Sequence, residues 1–198
     1  MKPRNGLAGT RHKTRGWSIE DYANYYRWMP GYDREKLFAH NIAIYELERR
    51  RSKKNYFKLE LKSSSDHCVF LMFWAPEGKT RPHQHVYEGR GSAAAIHVLK
   101  GTIVQELFRI GEAQEELLEY NEYFYGYGQE AIQEEPDCVH RIGNKSLSSW
   151  AITVHEFTPG FAMRVYDFEL NRTWLIAGNE DTLGDPPYDA EPIWPRTN

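Results

Sequence analysis

Two histidines separated by a single residue, His83 and His85, lie in the stretch WAPEGKTRPHQHVYEGRGSAAAIHVLKG from Trp74 to Gly101. In an extended chain, residues two apart project to the same face, so both imidazoles would aim at one spot. Pro82 and the apolar alternation that follows favour that conformation. Imidazole suits divalent first-row metals such as iron, nickel, copper and zinc, whereas magnesium or calcium would need a carboxylate-rich set. Two histidines are few for a catalytic metal, and the later stretch CVHRIGNKSLSSWAITVHEFTP offers His140 and His155 as further ligands. The same spacing would also suit two surface histidines on an edge strand.

The elements that must position these groups follow from the pattern around them. With 198 residues, 40% of them apolar and 27% charged, the chain has the make-up of one well-buried soluble domain. Residues 1–17 read as a flexible basic arm. Ser18 and Asp21 have the form of a helix N-cap leading into Tyr22, Tyr25, Tyr26 and Trp28. A second helix is expected from Asp33, with Leu37, Ile44 and Leu47 as its apolar stripe and Ile42 and Tyr45 beside them. From Tyr56 onward the period becomes that of strands: CVFLMFW, the His-x-His strand, AAIHVLKG, TIVQELFRI, a turn at Gly111, LLEYNEYFYGYG, VHRIGN, SWAITVHEF and MRVYDFEL. Their even, short spacing, without strand–helix alternation, predicts an all-β antiparallel barrel with helices on its N-terminal side. The tail 171–198, with DPPYD and EPIWP, is expected to pack on the barrel through Trp174, Tyr188 and Trp194.

Charge and cysteine content exclude several functions. The formal net charge of -3 gives no general drive towards nucleic acid, and the basic run ERRRSKK at 48–54 reads as a solvated helix end. The N-terminal stretch has no apolar core and reads as neither a secretory signal nor a membrane anchor, so a cytoplasmic protein is expected. Cys68 and Cys138 form neither a disulfide framework nor a zinc-binding spacing. A monomer or small homo-oligomer is expected.

Several motifs together resemble the cupins, and within them the cysteine dioxygenase group of thiol dioxygenases. They are Gly78-Lys-Thr-Arg-Pro-His83-Gln-His85, followed by the turn glycine Gly101, and Pro136-Asp-Cys-Val-His140-Arg-Ile-Gly-Asn144. The Trp74-x-Pro lead-in, the strand end Val98-Leu-Lys-Gly101 and Ala151-Ile-Thr-Val-His155-Glu-Phe-Thr-Pro159 are similar to that group more than to cupins at large. The resemblance implies a jelly-roll cupin domain over residues 18–170 and a non-haem Fe(II) ion, or nickel or another first-row metal, at His83, His85 and His140. It implies dioxygen as co-substrate and a small thiol, cysteine or a close analogue, whose sulfur is converted to a sulfinate or a further rearranged product. His155 and Thr153 match the family's histidine and serine beside the metal, and are expected to act in catalysis.

Three departures bear on the substrate. The family's cysteine–tyrosine crosslink has neither partner here, since the tyrosine position is Phe157 and the cysteine region reads Gly91-Ser92-Ala93-Ala94-Ala95. The arginine that holds a carboxylate in cysteine-selective members corresponds to Lys58 in Tyr56-Phe-Lys58, a point charge in place of a fork. Lys58 and Arg164 are therefore the expected substrate cations, with Tyr56 and Phe157 lining the site and Arg81 and Arg90 as other choices. Glu88 could supply a fourth ligand, in which case the chain would be a metal-binding cupin of another class, an isomerase or a ligand-binding protein.

Overall fold

The computed structural model describes residues 17–194 apart from 53, 65–66, 88–89, 92, 111–116, 134–138, 159–161 and 178–179. Of the expected arm 1–17, residues 1–16 lie outside the described residues, as do Gly111, Cys138 and Glu88, whereas Trp17 is not a free arm residue but packs on Tyr22 and Tyr25 of the first helix. Ser18 opens α1 (Ile19–Trp28) with a reciprocal cap: the Asp21 N–H donates to Ser18 Oγ at 3.3 Å and the Ser18 N–H to Asp21 Oδ2 at 2.8 Å. Met29 turns extended ahead of Pro30, which ends the helix. Helix α2 (Gly31–Arg49) follows at once, two residues before the expected start.

The buried face of α2 differs from the expected stripe. Phe38 is buried, with Leu37, Ile42 and Tyr45 packed beside it, whereas Ile44 and Leu47 face solvent. Both sets satisfy helical spacing, so the choice is made by what the sheet presents. Phe38 meets Phe73 edge-on at 6.3 Å, and Tyr45 stacks on Phe57 at 4.5 Å. The basic run behaves as expected of a solvated helix end, with Arg49 beside Glu46 and Lys54 beside Glu48.

The strands are β1 (Tyr56–Ser63), β2 (Cys68–Trp74), β3 (His83–Tyr87), β4 (Arg90–Gly91), β5 (Ala93–Lys100), β6 (Ile103–Ile110), β7 (Leu117–Tyr125), β8 (Glu130–Gln133), β9 (Val139–Gly143), β10 (Ala151–Thr158), β11 (Ala162–Asp167) and β12 (Arg172–Ala177). One sheet has the order β1-β2-β10-β5-β8; the other runs β12-β11-β3-β9-β6-β7, with β4 paired to β3. Every pairing is antiparallel. The result is the antiparallel double-sheet jelly roll expected from the strand spacing, with two helices at its N-terminal side.

The five-stranded sheet is covered on both faces. Tyr56, Phe70, Met72, Trp74 and Phe157 enter the barrel, while Phe57, Val69, Leu71, Phe73, Ile152 and Val154 pack under the helices with Ile19, Tyr22, Ala23, Tyr26 and Phe38. That double burial is why β2 reads as an unbroken apolar run instead of an alternation. Between β5 and β6 the chain turns at Gly101, whose φ of +75° favours glycine and whose Cβ would lie 3.0 Å from that of Ala151.

The C-terminal segment starts as part of the barrel, because β12 pairs with β11 along its whole length. Beyond it, Glu191 bridges Thr173 and Ala190 packs against Val165 and Trp174. Of the three expected anchors, Trp174 is buried and the Trp194 N–H donates to Asn171 Oδ1 at 3.0 Å. Tyr188 is fully exposed instead, since the turn at Pro187 brings Ala190, and not the tyrosine, down onto the barrel. Among the described residues, no helix is long and apolar enough to cross a membrane.

Candidate metal centre

The seven-stranded sheet brings three imidazoles together. His83 and His85 leave the same face of β3, and β9 places His140 directly opposite His83. Their ligand nitrogens all lie within 4.8 Å of one another, and all three residues are buried. The two motifs that carry the resemblance also frame this register. The Thr80 N–H donates to the Ile142 carbonyl at 2.9 Å and the Ile142 N–H to Thr80 Oγ1 at 3.1 Å. The Asn144 N–H reaches the Gly78 carbonyl at 2.8 Å, while its side-chain amide donates to the carbonyls of Trp74, Ala75 and Ser149 at 3.3, 3.2 and 2.7 Å. Gly78 can be nothing larger, because a Cβ would meet the Asn55 carbonyl oxygen at 2.1 Å.

Burial determines the charge state of the cluster. It pulls the His83 imidazolium down to about 4, and it holds His85 and His140 well below the ordinary histidine value, helped by their mutual repulsion when charged. All three are therefore neutral at physiological pH, the form that ligates. His83 donates its Nδ1 proton to the Arg81 carbonyl at 2.9 Å, which leaves Nε2 as a bare lone pair facing the cluster. His83 Nε2 and His140 Nε2 are 3.2 Å apart. Two nitrogens each ~2.1 Å from one ion are about 3.0–3.4 Å apart across the octahedral to tetrahedral range of angles, so the pair fits a shared divalent metal. Among the described residues no carboxylate joins the three histidines.

The other sheet supplies the opposite wall of a small cavity, about 20 Å³, with room for roughly one water-sized body. Phe157 lies edge-on to His85 at 4.8 Å, and β10 pairs it directly with Ala94. The phenyl ring of Phe157 and the methyl group of Ala94 thus face each other, without a thiol or a phenol between them. His155 and Thr153 are both buried beside Trp74. The Trp74 indole N–H donates to Thr153 Oγ1 at 2.9 Å, and Thr153 Oγ1 shares a second hydrogen bond with His155 Nε2 at 2.8 Å. Burial brings His155 down to about 3, so it stays a neutral hydrogen-bonding group.

The expected cations separate clearly. Lys58 lines the cavity, and its Nζ donates to the Glu180 carbonyl at 2.6 Å. Burial brings its ammonium down to about 8 against the pull of Asp181. Arg164 is not brought to the site: it pairs in register with Gln84, between Met163 opposite His85 and Val165 opposite His83. Residues two apart share a face, so Arg164 points away from the histidines, and its guanidinium lies 3.7 Å from Glu191. Arg81 is likewise engaged, with Asp167 and over the Trp174 ring at 5.4 Å. The side chain of Arg90 lies outside the described residues.

Thr182 and Gln105 are among the site residues not anticipated from the sequence. Thr182, in the C-terminal segment, clamps Tyr56: its N–H donates to the tyrosine oxygen at 2.8 Å and the two hydroxyls are 2.9 Å apart. Burial, with Asp181 nearby, drives the Tyr56 phenol upward, so it remains protonated. Gln105 is the second, a buried amide 3.0 Å from His140 Nδ1. A polar residue on the inward face of an otherwise apolar alternation was its one visible signal.

No family model matches the chain, and no curated protein sequence does. Solved structures to which the chain is similar include a sugar phosphate isomerase from a cupin superfamily, from Silicibacter pomeroyi, at 15% identity and TM-score 0.45, covering 66% of this chain and 81% of that one. A double-stranded β-helix protein from Klebsiella pneumoniae is similar at 14% identity and TM-score 0.45, over 83% of this chain and 96% of its own. A recombinant oxalate oxidase in complex with glycolate matches at 16% identity and TM-score 0.42, over 55% and 53%. At these identities and TM-scores the likenesses carry no argument.

Proposed function

We propose that this protein is a cupin-type, non-haem iron(II) thiol dioxygenase acting on a small thiol that carries an acidic group. The observation that carries the reading is the meeting of His83, His85 and His140 with Lys58 and the Trp74–Thr153–His155 chain around one buried cavity. A ferrous ion held by the three imidazoles supplies the chemistry that joins dioxygen to sulfur. Because all three ligands are neutral, the site's positive charge is uncompensated and favours a substrate that arrives as a thiolate.

The chain's own residues then orient and enclose that substrate, for which the cavity of about 20 Å³ must widen as Lys58 releases the Glu180 carbonyl. Lys58 is the cation placed to hold a carboxylate, exchanging the Glu180 carbonyl for it. Phe157, Met163 and Ile142 keep the surroundings apolar, which strengthens the ionic contact by excluding water. Trp74 and Thr153 fix the ring of His155 in one orientation, so that it offers a stationary hydrogen bond at the rim of the cavity. Phe157 leaves no phenol for that task, which puts it on His155 alone.

The test is oxygen uptake by the iron-loaded protein with 3-mercaptopropionate, cysteine and cysteamine, with products identified by mass spectrometry. A gain of two oxygen atoms on a carboxylated thiol is expected. Metal binding with no oxygen consumption on any of the three thiols would contradict the proposal.

A further inference from the structure

At the elbow where α1 gives way to α2, Trp17, Tyr25 and Trp28 wall an open groove of about 640 Å³, with Asp21, Asn24 and Asp33 as its polar members. Trp28 is 83% exposed and Tyr25 42%, although Tyr22 and Tyr26 on the same helix are buried. Trp28 follows Tyr25 by three residues, so both rings belong to one helix face, and Trp17 meets Tyr25 at 5.5 Å. A contiguous exposed aromatic face of this kind marks a contact surface.

The groove is acidic as well as aromatic. Asp21 accepts the Ser18 N–H on Oδ2, and among the described residues neither Asp21 nor Asp33 has a cationic partner. The cations nearest in sequence are engaged elsewhere: Arg27 lies 3.3 Å from His97 Nδ1, Arg34 donates to the Arg27 carbonyl at 3.3 Å, and Lys36 stands over the Tyr32 ring at 6.0 Å. Both carboxylates sit in the first turn of a helix, where the dipole favours them whatever the groove holds. The dipole does not account for the exposed rings. Aromatic faces flanked by carboxylates attract cations, through the ring quadrupole and through charge.

The chain itself carries such cations next to the groove. Residues 1–16, outside the described residues, contain Lys2, Arg4, Arg11, Lys13 and Arg15 and no aspartate or glutamate, and they join the fold at Trp17, one wall of the groove. Arg15 and Lys13 are two and four residues from that wall, which is about 7–14 Å of chain. A segment tethered this closely meets the groove at an effective concentration on the order of millimolar, so weak contacts are enough to hold it.

We propose that this groove binds the basic segment that precedes it in the chain, with Arg11, Lys13 and Arg15 supplying cations to the faces of Tyr25 and Trp28 and to the carboxylates of Asp21 and Asp33. The proposal does not depend on the metal site or on the reaction carried out there.

Tryptic cleavage after Arg15 in the full-length protein, followed by mass spectrometry, reads the contact, with cleavage in the exposed run at residues 49–51 as the internal reference. Trp28→Ala and Asp33→Asn are each expected to speed cleavage after Arg15 about 2- to 5-fold relative to the reference, as befits the loss of one cation–π or ionic contact. Raising the salt from about 0.02 M to about 0.5 M should do the same to the wild type. Trp28→Phe keeps a ring face and should stay within about twofold of the wild type. Asp33→Lys should lose the protection and Asp33→Lys with Lys13→Glu should regain it, an exchange to which simple loosening of the helix would not respond. Equal relative rates in the wild type, Trp28→Ala and Asp33→Asn overturn the proposal, and leave the groove to a partner. Protection that grows with protein concentration also overturns it, because the segment would then be bound by a second copy.

Discussion

Lys58→Met isolates the feature that sets substrate class. The methionine keeps most of the stem's apolar contact and deletes the ammonium that otherwise sits on the Glu180 carbonyl at 2.6 Å. A hydrogen bond to a charged group in such a site contributes about 1.5–3 kcal/mol, which corresponds to roughly a 10- to 150-fold rise in KM for a carboxylated thiol. Loss of positioning would also lower turnover for that substrate, since small displacements of a reacting atom are costly. Cysteamine has no carboxylate to lose, so its KM should change far less. Thermal stability should not fall, because burial already works against the charge, as the depressed ammonium shows. The assay is initial oxygen uptake by iron-loaded wild type and variant with 3-mercaptopropionate and with cysteamine. Equal KM changes for both thiols, or none for either, would refute the assignment of Lys58 as the carboxylate anchor.

Wild-type KM for carboxylated thiols should also rise above about pH 8, where Lys58 loses its proton, and this rise should be absent in Lys58→Met. The metal-free protein should lose stability as pH falls. His83 is held to about 4 and His155 to about 3 in the fold, so below the ordinary value of about 6.5 the unfolded chain takes up protons that the folded chain refuses. Each contributes a loss of about 2 kcal/mol by pH 5, with a plateau above pH 7. A urea midpoint that does not move between pH 7 and pH 5 would contradict this. Intact-mass analysis and gel migration should show a single uncrosslinked species, because Ala94 and Phe157 face each other without a thiol or a phenol.

The parts of the site that obey a local period were legible from the residues themselves. His83-x-His85 announces its shared face, and the inward positions Tyr56 and Lys58 follow the same rule. His140 did not, since its choice over His155 came from motif likeness; only the pairing of β9 with β3, and not with β10, brings it to His83. The outward direction of Arg164 is also legible in the sequence, because Met163 and Val165 are apolar on either side of it. By contrast, the buried face of α2 turned on which aromatic rings the sheet presents, and Thr182 lies 126 residues from the tyrosine it clamps. No local pattern carries such information.

The proposed function stands on His83, His85 and His140 holding one metal ion together. Metal analysis of protein purified with iron(II) under anaerobic conditions, alongside His83→Ala, His85→Ala and His140→Ala, tests it most directly. About one divalent first-row ion per wild-type chain is expected, with near-complete loss in each variant and the fold retained. Full occupancy in His140→Ala, or no metal in the wild type, would contradict it.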